Sequence, residues 1–140
     1  MHRAIDYLLK NAAEGEIPVG AIVVKDGEII SSAVNRKEEM NDVSSHAEIL
    51  AIREAAQKLK RWRLDDCEMF VTLEPCPMCA WAILQSRIKC IYFGSYDTKY
   101  GALSSAMDLR KFSDSKPKVF GGIMEKECDE ILRQFFERIR

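Results

Sequence analysis

Between Glu68 and Gly94 the chain holds an apolar run, EMFVTL, a proline-led apolar stretch, PCPMCAWAILQS, and a second apolar run, KCIYFG. Short apolar runs next to breakers read as buried strands, and proline is favoured in the first turn of a helix, so Pro75 marks a helix start. A strand, a helix and a strand in so short a space form a parallel crossover, right-handed as nearly all are. The helix is apolar all round from Ala80 to Leu84, which calls for cover on two sides, from the sheet and from a second subunit.

Other elements fall around this unit. Ile5, Leu8, Leu9 and Ala12 recur at helical spacing and Gly15 ends the pattern, a first amphipathic helix. Two β-rich runs flank Asp26-Gly27, the strongest short signal for a hairpin, so the first two strands are antiparallel neighbours. After a polar stretch from Arg36 to Ser45, HAEILAIREAAQKL reads as a helix that turns Ile49, Leu50, Ile52, Ala56 and Leu59 to a core. Residues 95 to 117 read as a long loop with a short helical piece, and loops of that length in a compact domain are functional or mobile. A last helix is expected over 125 to 140, with Ile131, Leu132, Phe135, Phe136 and Ile139 on its apolar side.

The 140 residues, 47% hydrophobic and 31% charged, suit one soluble domain spanning 1–140, with no repeat, linker or low-complexity tract. No stretch approaches the ~20 apolar residues of a membrane span, and charges interrupt the first residues where a signal peptide has its apolar stretch, so a cytoplasmic chain is expected. The five cysteines are an odd number, and in a reducing compartment they serve as thiols or metal ligands. A net charge of -1 means that a polyanion has to be met by a local basic patch.

Chemistry concentrates at two helix starts. Cys76 and Cys79 lie three positions apart, on one helical face and near a helix N-terminus that favours thiolate. Two thiolates do not complete a zinc shell; His46 is the natural third ligand, since the only other histidine is His2. Glu48 is poorly placed as a co-ligand, yet its carboxylate reaches a metal-bound water as a proton carrier. Three other readings stand beside this one. Ser45 and Glu48 have the spacing of a capping box. The C-x-x-C pair suits a redox role, which leaves His46 and Glu48 unexplained. A closed, non-catalytic zinc module would recruit Cys67 or Cys90 as a fourth ligand.

HAE followed by PCPMC is the signature of the zinc-dependent cytidine and nucleobase deaminases. Within that superfamily the chain resembles the bacterial tRNA adenosine deaminases, through EIPVGAIVV, Asn35-Arg36, HAEILAIR, TLEPCPMCAWAI, Ser86 to Ile88 and FGSYDTKYGA, over nearly its whole length. It departs from the family at Leu103-Ser104-Ser105, where a Gly-Ser pair is frequent. The resemblance implies an α/β protein, a three-layer α/β/α cytidine-deaminase-like fold with a central mixed sheet of about five strands. It implies a homodimer that converts the wobble adenosine of a tRNA anticodon to inosine. It further implies one Zn²⁺ per subunit on His46, Cys76 and Cys79, Glu48 as the proton shuttle, and Asn35, Ala47, Asp97 and Lys99 as substrate-binding residues. The alternative is a deaminase of free guanine, cytosine or cytidine, with the same metal chemistry and another pocket. Candidate RNA contacts are Lys58 to Arg63, Arg133, Arg138 and Arg140, with solvated charge the commoner role for most. Tyr96, Phe135 and Phe136 offer stacking faces, and the phenylalanine pair is expected in the core.

Overall fold

The computed structural model describes residues 1–139; Arg140, a candidate RNA contact, lies outside them. In chain order the elements are α1 (His2–Asn11), β1 (Gly20–Lys25), β2 (Glu28–Val34), α2 (Lys37–Met40), α3 (Ala47–Leu59), β3 (Cys67–Leu73), α4 (Pro77–Gln85), β4 (Cys90–Ser95), β5 (Lys118–Phe120) and α5 (Glu125–Arg138). The strands form one open mixed sheet in the order β2-β1-β3-β4-β5. β1 runs antiparallel to both β2 and β3, whereas β3, β4 and β5 are parallel.

Local chemistry explains the joints. Asp26 and Gly27 both take positive φ, 52° and 76°, the left-handed pair that closes a two-residue hairpin. The crossover between β3 and β4 is carried by α4, with Glu68 opposite Cys90 and Leu73 opposite Ser95. Its helix starts one proline later than expected, at Pro77. Pro77 disfavours helical backbone at the residue before it, and Cys76 accordingly sits in extended conformation as the N-cap.

One sheet face, with Ala21, Val23, Met69, Val71, Ile91 and Phe93, packs against α3 and α4. The face that α3 buries is the small stripe Ala47, Ala51 and Ala55, together with Glu48. The bulkier Leu50, Ile52 and Leu59 are only partly buried around this contact. Alanines let the helix approach the sheet closely, and the large residues fill its flanks. The other face lies under α1 and α5. A Cβ on Gly20 would stand 2.9 Å from the Cβ of Leu8, and one on Gly94 would overlap the sulfur of Cys128 and crowd the Thr72 carbonyl. Gly94→Ala is therefore expected to destabilise the protein by about 1–3 kcal/mol through overpacking, read as a lower melting temperature.

Two sequence expectations fail on this second face, and one strand falls in no element that the sequence announces: β5 has three residues, too short to show any periodicity, and lies just beyond the stretch read as a long loop. Within α5 only Cys128 is buried; Phe136, expected in the core, is 45% exposed, and Leu9 of α1 is 64% exposed. The two helices stand apart over a groove of about 620 Å³ that includes Leu8, Leu9, Ala12, Ile131 and Phe135.

The stretch from Arg36 to Ser45 contains α2, whose Glu38 and Glu39 amides donate to the buried Glu16 carboxylate at 3.2 and 2.9 Å. Beyond β4, the long loop is pinned by fully buried Ala102 and Leu103 and contains a short 3-10 turn, Leu109–Phe112. No helix among the described residues is long and apolar enough to cross a membrane.

Candidate metal centre

Two helices begin at the same place. His46 is the N-cap of α3 and Cys76 the N-cap of α4, both with extended backbone, φ −78° and −72°. An N-cap side chain ordinarily accepts from the free amides of its own first turn. Neither does so here, and both side chains turn towards each other. His46 Nδ1 lies 3.4 Å from Cys79 Sγ and 3.8 Å from Cys76 Sγ. The three donor atoms all fall within 4.8 Å of one another, and they form the one such donor group among the described residues.

That spacing suits a tetrahedral ion. With Zn–S near 2.3 Å and Zn–N near 2.0 Å, a tetrahedral angle separates nitrogen from sulfur by about 3.5 Å. The donors number three, whereas a closed structural site has four. Cys67 and Cys90 stand at the starts of β3 and β4, buried and outside the group, so neither supplies the fourth ligand of a closed module.

The three donors share protons among themselves, and Cys76 alone is driven to the thiolate form that a metal takes. The Cys76 thiol is pulled down to about 4, first by the hydrogen bond from Cys79 and next by that from His46. Cys79, buried and donating to its neighbour, is pushed upward by the same bond. His46 is raised, chiefly by its contact with the Cys76 sulfur.

Glu48 is buried at 4% exposure in the first turn of α3, outside the three-donor group. Burial is the main force that pushes its carboxyl up to about 7, and the charge of Cys76 adds to it. A carboxyl poised there exchanges protons readily near neutrality. The capping box does not form: Ser45 Oγ donates to Asp42 Oδ2 at 2.9 Å, and the α3 N-cap is His46. The reason is Asp42, which collects Ser44 and Ser45 into its own turn.

The remaining sequence candidates divide. Asn35 and Ala47 meet at the His46 turn: Asn35 Oδ1 accepts from the Ala47 amide at 2.7 Å, and Asn35 Nδ2 donates to the Ile17 carbonyl at 3.0 Å. Asp97 and Lys99 lie on the loop after β4. Asp97 Oδ1 accepts from the amides of Lys99 and Tyr100 at 3.1 and 3.0 Å, and the Lys99 ammonium lies 5.1 Å from the centre of the Tyr100 ring. Several proposed basic contacts are engaged within the chain: Arg61 with Asp66, Lys58 with Glu54, and Arg133 with Glu130 and Glu137. Glu74 escaped the sequence reading although it directly precedes Pro75-Cys76; a carboxylate at the end of an apolar strand was the available signal. It is 2% exposed and bonded to the loop that carries Asp97 and Lys99.

An open mixed sheet with a His-Cys-Cys group at paired helix starts, and a buried glutamate beside it, defines the cytidine-deaminase-like class of hydrolytic enzymes. The model of the MafB19-like deaminase family matches residues 1–140. A tRNA-specific adenosine deaminase of Bacillus subtilis (strain 168) is 40% identical over 142 residues, covering 100% of this chain and 88% of the relative. One of Agrobacterium fabrum is 46% identical over 129 residues, covering 89% of this chain and 84% of the relative. A solved structure from a study of A-to-I editing by tRNA:A34 deaminases at the wobble position of transfer RNA superposes with a TM-score of 0.87 at 41% identity, over 94% of this chain and 97% of that one. The chain belongs to the family of tRNA-specific adenosine deaminases.

Proposed function

We propose that this chain, acting as one domain over residues 1–140, hydrolyses adenosine to inosine at the wobble position of a tRNA anticodon, using one Zn²⁺ per subunit. The observation that carries the reading is a set of three metal donors with a buried carboxylate beside it but outside it. His46 Nδ1, Cys76 Sγ and Cys79 Sγ would hold the ion, whose charge two thiolates with a neutral imidazole would balance. When bound, the ion supplies a Lewis acid that makes a water nucleophilic near neutral pH.

The chain's own residues do the rest. Glu48 accepts a proton from the attacking water and delivers it to N1 of adenine. The second proton of that water passes through the same carboxylate to the leaving amine, so that water and adenosine give inosine and ammonia. Asn35 spends Oδ1 and one Nδ2 proton on the protein and keeps the other N–H for the nucleotide, while Ala47 fixes the Asn35 amide plane. Lys99 and the exposed Tyr96 and Tyr100 offer a cation and ring faces to a splayed anticodon loop, a local contact of the kind a net charge of -1 requires.

We also propose a homodimer, in the cytoplasm. Met78 and Trp81 of α4 are 37% and 40% exposed, whereas Ile83 and Leu84 are buried in the chain's own core, which narrows the contact expected on this helix. Incubating the purified protein with bulk tRNA is expected to produce inosine, measured by mass spectrometry of nucleosides after digestion. Ammonia release from free guanine, cytosine or cytidine with none from tRNA would instead establish the free-base activity.

A further inference from the structure

We propose that Glu74 is a positioning residue for tRNA: its buried carboxylate holds both shoulders of the Asp97–Ser105 loop against the turn that carries Cys76, and thereby sets how tightly RNA binds. The proposal rests on the tRNA reading above.

Glu74 follows the last residue of β3 and lies two positions before Cys76. Oε1 accepts from the Asp97 amide at 3.1 Å and from Ser105 Oγ at 2.5 Å, and Oε2 accepts from the Ser105 amide at 2.9 Å. All three donors are neutral, and all three belong to the loop. Bonds to an ionised acceptor are among the stronger ones a protein makes. The loop backbone closes over the carboxylate, since a Cβ on Gly101 would overlap Glu74 Cδ and the Asp97 carbonyl. Pro75, between Glu74 and Cys76, accepts from the Ala102 amide at 2.9 Å. The loop is thus tied to the very segment that presents a metal ligand.

Only the shoulders depend on Glu74. Ala102 and Leu103 plug the core on their own, with no exposure. Between Asp97 and Gly101 the chain is exposed, and the amides of Lys99 and Tyr100 are ordered by Asp97 Oδ1. Asp97 in turn hangs from Glu74 Oε1. The direction in which Lys99 and Tyr100 point therefore descends from one buried carboxylate.

Glutamine in this place keeps the shape, but it offers one acceptor oxygen and an amide that would face a donor. The shoulders then populate undocked states, and the apparent affinity for RNA falls with the docked fraction. Once RNA has bound, the loop is docked again and Glu48 and the metal donors are undisturbed, so turnover in the complex is preserved.

The test compares steady-state inosine formation in tRNA for the wild-type protein, Glu74→Gln, Ser105→Ala and the double variant, with metal content measured for each. Losing one charge-assisted bond is expected to raise KM about tenfold in Glu74→Gln. We expect kcat to change by less than about twofold and the metal to stay at one ion per chain. Ser105→Ala should raise KM by about threefold and add little in the Glu74→Gln background, because the two share one network. An unchanged KM in a folded Glu74→Gln protein, a fall in kcat without a rise in KM, or fully additive effects would each overturn the proposal. If Glu74→Gln does not fold, Ser105→Ala decides alone: a raised KM supports the proposal and an unchanged one sinks it. A wild-type protein that makes no inosine in tRNA would defeat the functional reading and this proposal with it, a result distinct from an active wild type with an indifferent Glu74.

Discussion

Glu48→Ala is expected to lower kcat on tRNA by about 10³-fold while the protein keeps one metal ion per chain and melts within a few degrees of the wild type. The size follows from the work assigned to the carboxylate, which moves two protons along a path bulk water does not enter at 4% exposure. The unchanged metal content follows from geometry, because Glu48 stands outside the donor group. Stability should survive because burial already works against this carboxyl, pushing it up to about 7. Glu48→Gln keeps the volume and removes only the proton acceptor, so it should lose as much activity as the alanine variant. If either protein retained a tenth of wild-type turnover, Glu48 would not be the proton carrier.

The converse pattern is expected at the donors. Cys79→Ala should lose both the metal and all measurable turnover, since a three-donor set that loses one no longer holds an ion firmly. It should also melt at a lower temperature than Glu48→Ala, because Cys79 is fully buried and its removal leaves a void as well as an empty coordination position. His46→Ala should lose the metal with a smaller packing penalty, as His46 is only half-buried. Elemental analysis of purified variants checks the first claim and thermal denaturation the second. Wild-type protein stripped by a chelator should recover its activity when zinc is returned. A Cys79→Ala protein that keeps its metal would place the donor set elsewhere.

What the sequence revealed best was whatever is settled by a few neighbouring residues. Asp26-Gly27 imposes positive φ on both turn positions whatever surrounds it, and the hairpin is there. The run from Glu68 to Gly94 alternates breakers and apolar stretches at lengths that admit one topology, and β3 and β4 are parallel neighbours. His46, Cys76 and Cys79 drew attention as metal-type residues at two helix starts, and those starts converge. Where the reading failed, either a neighbour competes for the same role or the deciding partner is distant. Ser45 has the spacing of a capping partner, yet Asp42 takes its hydroxyl. Pro75 resembled a helix start until Pro77 restrained the residue before it. Glu74 carries only the weak local signal of a carboxylate closing an apolar strand, because its partners lie 23 and 31 positions away. The apolar residues of α5 looked like a core stripe, but how deep a helix sits on a sheet depends on its neighbour, and α1 keeps its distance.

The amide of Ala47, at the head of α3, is met by Asn35 from 12 positions upstream rather than by the side chain at its own N-cap. A helix whose opening turn is served from elsewhere leaves its first side chain idle, and at α3 that idle side chain is an imidazole. Asn35 extends from the end of the β2 strand and is tied by its other bond to the approach of β1. The aim of the imidazole is therefore inherited from the hairpin, and damage at that remote ribbon should surface as a wandering ligand before it surfaces as unfolding.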